Sequence, residues 1–231
     1  MENKKHNNLH IIIILILLKL VTALKLNTIN ILMYIYVNMS KYTGSGILLY
    51  EYDTKTDDIM FYLFKNARSC SYNDIGGLKD KKDTSLFVTA SREANEESAD
   101  LIHIEPYILK NNAYVIKLSK YVCFLVKINK NIIKKKDYLQ NLNQMKIDKR
   151  KKYWQETNDF IKVSLKKLIK NGIIDNKITH MFFINENKIN SRVKVIIKKI
   201  LSENLINELI NTKPIILKKV INNKYVNLLV Q

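Results

Sequence analysis

Two short apolar runs separated by a polar stretch stand close together in the first third of the chain. Ile47 to Tyr52 and Ile59 to Lys65 are rich in β-branched and aromatic residues, and a polar stretch over 53–58 separates them. Such residues favour strands, and polar residues between two such runs favour a turn. The pattern therefore predicts a β-hairpin over 47–65.

Further apolar patterns along the chain predict both strands and helices. Strands are predicted over Pro106–Lys110, Ala113–Leu118, Tyr121–Ile128, Phe160–Ser164 and His180–Asn185, with a turn at Asn111 and Asn112. Helices are predicted over Leu165–Lys170, which Asn171 and Gly172 end, and over Ser191–Ile210, where apolar residues recur at helical spacing. The roughly 190 residues from Met39 onward fit one domain with a core of ordinary size.

A stretch rich in carboxylates, Gly76 to Asp100, lies between the hairpin and the later strands. A helix over Asp83–Ala99 would place Glu93, Glu96 and Glu97 on one face, at i, i+3 and i+4. Like charges at this spacing repel unless a cation lies against them, and hard divalent metals prefer such oxygen ligands. The spacing indicates a metal site, and a solvated charge-rich helix face is the alternative.

The same stretch resembles the signature of the Nudix hydrolase family. That signature runs glycine, five residues, glutamate, seven residues, then Arg-Glu-apolar-any-Glu-Glu-any-Gly-apolar. The residues that follow it in order are Gly77, Asp83, Arg92, Glu93, Ala94, Glu96 and Glu97. The chain departs from it at three places, because Asp83 replaces the first glutamate, eight residues precede Arg92, and Ala99 and Asp100 replace glycine and an apolar residue.

The resemblance implies a fold and a metal. The expected fold is an α/β/α sandwich with a mixed β-sheet, in which the catalytic helix follows a Gly-Gly loop. Glu93, Glu96 and Glu97 are expected to coordinate Mg²⁺ or Mn²⁺ ions that bridge the oxygens of a diphosphate.

The resemblance also implies roles for residues around the metal. Arg92 is expected to orient a carboxylate, for which Asp83 is the natural partner. Gly76 and Gly77 are expected to let the backbone turn tightly beside the metal, since glycine takes positive φ without strain. The general base of the family comes from the signature or from a later loop, where Glu156 is the first candidate and Asp159 the second.

The formal net charge of +18 predicts attraction to polyanions. Lys134 to Lys152, within a basic insertion around 130–152, holds eight lysines or arginines against two aspartates. Its last four cations could hold an RNA backbone or a crowded phosphate group, and the neighbouring tryptophan could stack on a base. These residues are Lys149, Arg150, Lys151, Lys152 and Trp154. A solvated, partly disordered insertion is the alternative, with the tryptophan used for packing.

Residues 1–38 differ from the rest of the chain. Residues 11–18 are wholly apolar, but Lys19 and Lys25 interrupt the run that follows. No stretch there reaches the roughly 20 apolar residues of a spanning helix. Three interpretations stay open: an extension upstream of a native start at Met39, a membrane anchor over residues 11–37, and a cleaved signal.

Function is predicted from the carboxylates and the resemblance together. The favoured hypothesis is a cytoplasmic, metal-dependent pyrophosphohydrolase acting on a nucleoside diphosphate linked to another group. The 5′ cap of RNA is the preferred substrate, because viral decapping enzymes belong to the family and the Ile-, Lys- and Asn-rich composition is virus-like. Dinucleoside polyphosphates, ADP-ribose and diphosphoinositol polyphosphates are alternative substrates.

Other classes of protein are also compatible with parts of the sequence. A non-catalytic RNA- or phosphate-binding module is one alternative, although the intact Arg92, Glu93, Glu96 and Glu97 argue against a decayed site. A protein whose main role is membrane anchoring is another. Cys70 and Cys123 are too few and too unpatterned for a disulfide framework or a zinc site.

Overall fold

The computed structural model of the chain describes residues 41–148, 156–172, 181–184, 187–215, 217–221 and 224–227. The strands are β1 Gly44–Asp53, β2 Asp58–Asn66, β3 Ser71–Asn73, β4 Ile75–Leu78, β5 Ile102–His103, β6 Tyr114–Lys117, β7 Tyr121–Lys127, β8 Thr157–Ser164, β9 Met181–Ile184, β10 Asn187–Asn190, β11 Lys218–Ile221 and β12 Lys224–Asn227. The helices are α1 Leu86–Glu97, α2 Pro106–Asn112, α3 Lys135–Asp148, α4 Leu165–Lys170, α5 Ser191–Ser202 and α6 Ile206–Asn211.

The predictions for residues 1–38 lie outside the described part of the chain. Among the described residues, no helix combines the length and the apolar character that a membrane crossing requires.

The main sheet is mixed. Its strand order is β6-β7-β1-β2-β3-β10-β9, and β4 and β8 pair with β1 and β2 off this path. β1 runs parallel to β7 and antiparallel to β2. A second, three-stranded sheet has the order β12-β11-β5.

The central strands β1 and β2 diverge at one end. The β3–β4 segment, which contributes to the candidate site, lies between them there. β1 and β2 pair between Leu49 with Tyr62 and Asp53 with Asp58. Beyond that point β4 pairs with the first half of β1, and β3 pairs with the end of β2. The chain therefore passes from β3 to β4 through Asp74, between two strands that have separated.

Helices cover both faces of the main sheet. On one face α4, α5 and α6 contribute to a buried apolar cluster that includes Leu48, Phe61, Leu165, Ile196 and Leu209. On the other face Phe87 of α1 stacks on Phe124 of β7, with ring centroids 4.9 Å apart. Tyr138 of α3 packs edge-on against Phe160 of β8 at 5.4 Å. Two helical layers around a mixed sheet confirm the predicted α/β/α sandwich.

The predicted strand over Pro106–Lys110 is wrong, because helix α2 occupies this segment. Pro106 lies in the first turn of the helix, where the missing N–H costs no intrahelical hydrogen bond. Leu109 is the buried side chain of this short helix. Asn111 and Asn112, predicted as a turn, are its last residues.

The predicted helix over Ser191–Ile210 is interrupted. α5 ends at Ser202 and α6 begins at Ile206. Asn204 between them has a φ of 53°, which an α-helix cannot contain. Apolar residues remain on one side of both helices, so the periodicity of the sequence alone did not reveal the break.

The basic segment after β7 forms a packed helix in its described part. Tyr138, Leu142 and Met145 of α3 are buried and follow helical spacing. The Tyr138 hydroxyl donates a hydrogen bond to Thr157 Oγ1 over 3.1 Å. A solvated insertion therefore does not describe residues 135–148.

Two residues after α1 take the left-handed conformation. Ala99 has a φ of 57° and Asp100 a φ of 56°. The Asp100 N–H donates to the Asn95 carbonyl over 2.8 Å, which closes the end of the helix. A residue with a β-carbon pays about 1 kcal/mol or more for this conformation. Ala99 stands where the Nudix signature has glycine, and its backbone takes the left-handed conformation that favours glycine.

We expect Ala99→Gly to raise the free energy of unfolding by about 0.5 kcal/mol, because relief of the left-handed strain outweighs loss of one buried methyl group. Ala94→Gly is the matched control within α1. It should lower the free energy of unfolding by about 1 kcal/mol or more, since glycine is unfavourable inside a helix. Urea unfolding of both variants measures the difference, and equal destabilisation would contradict the explanation.

Candidate functional site

Helix α1 carries the acidic residues of the site. The helix begins at Leu86, later than the predicted start at Asp83, because Ser85 is extended and its side chain accepts the Val88 N–H. Asp83 lies in the preceding loop, where its carboxylate accepts the Asp80 N–H over 2.9 Å. The shift leaves Glu93, Glu96 and Glu97 on the helix as predicted.

Arg92 is the centre of an ion-pair network. Its guanidinium bonds both carboxylate oxygens of Asp83, at 3.3 and 3.0 Å. Nη1 lies 2.9 Å from a carboxylate oxygen of Glu93 and 2.9 Å from one of Glu96. Nη2 also donates to the Leu78 carbonyl over 3.1 Å, which ties the helix to the end of β4. One cation therefore fixes three acidic side chains and the loop before the helix.

The contact with Arg92 lowers the pKa of the Asp83 carboxyl group. Burial alone would raise the pKa of its carboxyl group, but the hydrogen bonds from Arg92 and from the Asp80 N–H hold it below its usual value. Asp83 therefore stays ionised, which is the state that pairs with Arg92.

Three carboxylates meet beside Arg92. Glu93, Glu96 and Glu156 each offer one oxygen, and these oxygens lie within 4.8 Å of one another. Glu156 stands in a turn just before β8, and its carbonyl accepts the Ala67 N–H over 2.8 Å. The structure thus brings the predicted later-loop residue to the helix carboxylates.

The pKa values in this group reflect burial and mutual repulsion. Burial raises the pKa of Glu93 to about 7, Arg92 opposes this shift, and Glu96 adds to it. Burial and the charge of Glu96 also raise the pKa of Glu156. The negative charges in this group are incompletely compensated by Arg92, so an added cation would be bound favourably.

Glu97 is held apart from that group. Its Oε2 accepts the Gly76 N–H over 2.7 Å. Burial raises its pKa well above the usual value, and the nearby charges of Glu93 and Asp74 add to this effect, while the Gly76 hydrogen bond opposes it. The structure therefore places Glu97 against β4, and Glu156 in the acidic group.

Gly76 and Gly77 leave room for neighbouring side chains and do not form a turn. Both lie in strand β4, and Gly172 is the one glycine with positive φ among the described residues. A β-carbon on Gly77 would lie 2.7 Å from the carboxyl carbon of Glu93. A β-carbon on Gly76 would overlap the Tyr121 hydroxyl. The expectation of a positive-φ turn is wrong, because the glycines instead admit side chains from neighbouring elements.

A buried polar network lies behind the Gly-Gly strand, and no motif in the sequence indicates it. Asp74 Oδ1 accepts a hydrogen bond from Arg192 Nε over 2.6 Å, and Oδ2 accepts one from the Tyr121 hydroxyl over 2.7 Å. The Arg192 guanidinium also lies over the Tyr121 ring, 4.3 Å from its centroid. The side chain of Asp74 is fully buried.

This network joins three distant segments of the chain. Asp74 lies between β3 and β4, Tyr121 begins β7, and Arg192 lies in the first turn of α5. Burial and the Asp74 charge raise the pKa of the Tyr121 hydroxyl, so it stays a hydrogen-bond donor. An ion pair between a buried aspartate and a half-buried arginine of remote segments has no local motif, which is why sequence reasoning did not find it.

Other predicted residues are placed as follows. Asp159 is engaged by Lys135 Nζ at 2.8 Å and by the Tyr72 hydroxyl at 3.2 Å. Its carboxylate is thus occupied by structural contacts, unlike that of Glu156. Lys149, Arg150, Lys151, Lys152 and Trp154 lie outside the described residues.

No family model matches the sequence, and no curated protein matches it. Solved structures of Nudix proteins are similar to the chain. Two are crystal structures of C. elegans Ap4A hydrolase, the second a binary complex, with 14% and 12% identity and TM-scores of 0.34 and 0.38. The alignments cover 56% and 71% of this chain, and 85% and 98% of those chains.

The Nudix domain of Shewanella oneidensis NrtR, complexed with ADP ribose, is also similar, with 12% identity and a TM-score of 0.32. That alignment covers 56% of this chain and 77% of the other. Because these identities and TM-scores are low, inferences about function rest on the geometry of the site itself.

The raised pKa of Glu93 predicts a pH dependence in the absence of divalent ions. The folded state holds the Glu93 proton more tightly than the unfolded state, so this stabilisation is present below pH 4.5 and is lost as pH rises through about 7. The shift corresponds to about 3 kcal/mol. Glu93→Gln should remove this loss. The free energy of unfolding of the variant should therefore rise relative to that of the wild type between pH 5 and 8.

Urea unfolding in a chelating buffer at several pH values measures this difference. Glu203→Gln is the control, because Glu203 is an exposed residue that pairs only with Lys199 among the described residues, over 3.4 Å. It should leave the pH profile unchanged. A constant difference between Glu93→Gln and the wild type across this range would contradict the pKa assignment.

Asp74→Asn should lower the free energy of unfolding by about 3 kcal/mol, since it leaves Arg192 without its charged partner. Arg192→Gln should cost a similar amount, and the double variant should cost much less than the sum of the two. A double-mutant cycle by chemical denaturation measures the coupling. Strict additivity of the two single changes would show that the ion pair contributes nothing.

Proposed function

We propose that the chain is a metal-dependent pyrophosphohydrolase of the Nudix type. The proposal is carried by one observation, the approach of carboxylate oxygens of Glu93, Glu96 and Glu156 to within 4.8 Å of one another. Arg92 links the first two of these carboxylates to Asp83. A solvated helix face does not account for Glu156, which comes from a separate segment of the chain.

The donor set fits a hard divalent cation. It consists of carboxylate oxygens only, which Mg²⁺ and Mn²⁺ prefer, and it includes no thiol or imidazole group. Glu93 is 8% exposed, and its carboxylate lies against Gly77, where a β-carbon would leave it no room. Glu93, Glu96 and Glu156 would hold the ion. When bound, such an ion neutralises charge on a diphosphate and makes water a stronger nucleophile.

Residues of the chain supply orientation and a proton acceptor. Arg92 acts as a positioning residue, because its contacts to Asp83, Glu93 and Glu96 fix the directions of the helix carboxylates. Glu97 is the proposed general base. Its Oε2 is held by the Gly76 N–H, which leaves Oε1 to accept a proton, and burial raises its pKa, so the carboxylate is a stronger proton acceptor than an exposed one.

The proposed reaction is hydrolysis of one phosphoanhydride bond. The water oxygen forms a bond to phosphorus, a water proton passes to Glu97 Oε1, and the bridging P–O bond breaks. The leaving phosphate departs as an anion, and Glu97 later returns its proton to solvent. This scheme differs from the expectation at the sequence level in exchanging the roles of Glu97 and Glu156.

Capped RNA is the first substrate that we propose. The net charge of +18 supports a polyanionic substrate, because long-range attraction raises the rate of encounter with nucleic acid. Lys149, Arg150, Lys151 and Lys152 are retained as candidate phosphate contacts, with Trp154 as a candidate stacking residue. Dinucleoside polyphosphates, ADP-ribose and diphosphoinositol polyphosphates remain substrates to be compared.

Metal binding gives a test that does not depend on the substrate. Mg²⁺ or Mn²⁺ at about 100 times the dissociation constant should stabilise the protein by about 2.7 kcal/mol. We expect Glu96→Gln and Glu156→Gln to lose most of this gain in thermal midpoint. Glu97→Gln should keep it, as should the control Glu203→Gln. Loss of the metal response in Glu97→Gln with retention in Glu156→Gln would reverse the two roles.

Activity is tested with the purified full chain and a panel of the four substrate classes, in the presence of Mg²⁺ or Mn²⁺. Products are identified by mass, and water labelled with ¹⁸O shows which phosphorus is attacked. Glu97→Gln should reduce kcat by about 10²-fold or more while the metal-induced rise in thermal midpoint persists. Absence of metal-dependent hydrolysis on every member of the panel would reject the proposed function.

A further inference from the structure

The loop between β2 and β3 lies directly beside the acidic group. The Ala67 N–H donates to the carbonyl of Glu156, whose side chain belongs to that group. The next residue, Arg68, is exposed.

The backbone of this loop is held rigidly. Asn66 Oδ1 accepts the N–H groups of Arg68 and Ser69, at 3.0 and 2.9 Å, and the Ser69 hydroxyl at 3.2 Å. The Cys70 N–H closes the turn on the Asn66 carbonyl over 2.9 Å. The backbone of Arg68 is therefore held by the Asn66 side chain, and the backbone of Glu156 by the Ala67 N–H.

The guanidinium of Arg68 is unused by the fold. Within the part of the chain that the structure describes, it forms no ion pair and no side-chain hydrogen bond. Arg92 and Arg192, in contrast, each bind a carboxylate of the protein directly. Ala67, the neighbour of Arg68, is hydrogen-bonded to Glu156 of the acidic group, yet among the described residues no ion pair joins Arg68 to that group. Such a side chain can approach an anion that the acidic group holds through a cation.

We propose that Arg68 contacts the substrate and binds non-bridging oxygens of the phosphate group that lies between the metal site and the β2–β3 loop. This inference rests on the proposed function. A diphosphate bridging to a divalent ion carries more negative charge than that ion neutralises. A planar guanidinium suits phosphate oxygens because it offers two parallel N–H donors. Arg68 would thus supply compensating charge from the β2–β3 loop, a segment separate from α1.

Binding of a diphosphate that cannot be hydrolysed tests the inference without reference to turnover. Methylenediphosphonate is titrated calorimetrically into the full chain in the presence of Mg²⁺. The wild type should bind it, and Arg68→Gln should bind about 10- to 100-fold more weakly, as expected for loss of a charge-assisted contact. Arg68→Lys should recover part of the affinity, because lysine restores the charge without the paired donors.

Lys170→Gln is the matched control, since Lys170 is an exposed cation at the end of α4, a helix that packs on the opposite face of the sheet. It should bind methylenediphosphonate as the wild type does. The thermal midpoint of Arg68→Gln should match that of the wild type, because only an exposed side chain changes.

Wild-type affinity in Arg68→Gln would overturn the inference, as would failure of the wild type to bind the diphosphonate. An equal loss in Lys170→Gln would also overturn it, because net charge and not position would then explain the effect. Metal-dependent hydrolysis by the wild type with an unaffected Arg68→Gln would reject the role of Arg68 and leave the proposed function standing. Absence of hydrolysis by the wild type would reject the proposed function itself.

Discussion

The site depends on one arginine placed among carboxylates that would otherwise repel one another. Arg92 binds Asp83 through two hydrogen bonds and lies within 2.9 Å of both Glu93 and Glu96. Without this cation, the helix would present a row of like charges close to a buried strand. Because Arg92 also binds the Leu78 carbonyl, the electrostatic requirement of the helix fixes the loop that precedes it. Arg92 does not offset every cost, because burial first and the charge of Glu96 second still raise the pKa values of Glu93 and Glu156.

The backbone provides the room in which this charge is gathered. Separation of β1 from β2 admits the β3–β4 segment, and the two glycines of β4 let the Glu93 carboxylate and the Tyr121 hydroxyl approach the main chain. The Asp74–Arg192 pair then holds this segment from behind. The acidic group is thus supported on one side by a helix and on the other by a strand whose position is set by a remote ion pair.

Local features of the sequence predicted much of this arrangement, and long-range features did not. The hairpin, the helix over Leu165–Lys170 and the carboxylates of α1 follow from periodicity and motif, which act over a few residues. The strand predicted over Pro106–Lys110 is a helix, and a short apolar run fits a strand or a helix equally well. The approach of Glu156 to Glu96 and the contact of Asp74 with Arg192 depend on tertiary packing, so no spacing along the chain encodes them. Tyr138, Leu142 and Met145 did carry a helical pattern, which the many lysines of that segment obscured.

The pairing of Asp74 with Arg192 has a consequence for how sequences of this kind can diverge. The two residues are 118 positions apart, yet a change in either one alone leaves a charge, fully buried at Asp74 or half-buried at Arg192, without its counterpart. Substitutions at these two positions are therefore expected to covary, or to arise first in a more stable variant of the protein. The same dependence limits where the domain can be shortened. A fragment that stops before α5 would keep every residue of the acidic group, yet it would lose the cation that holds the strand behind that group in place.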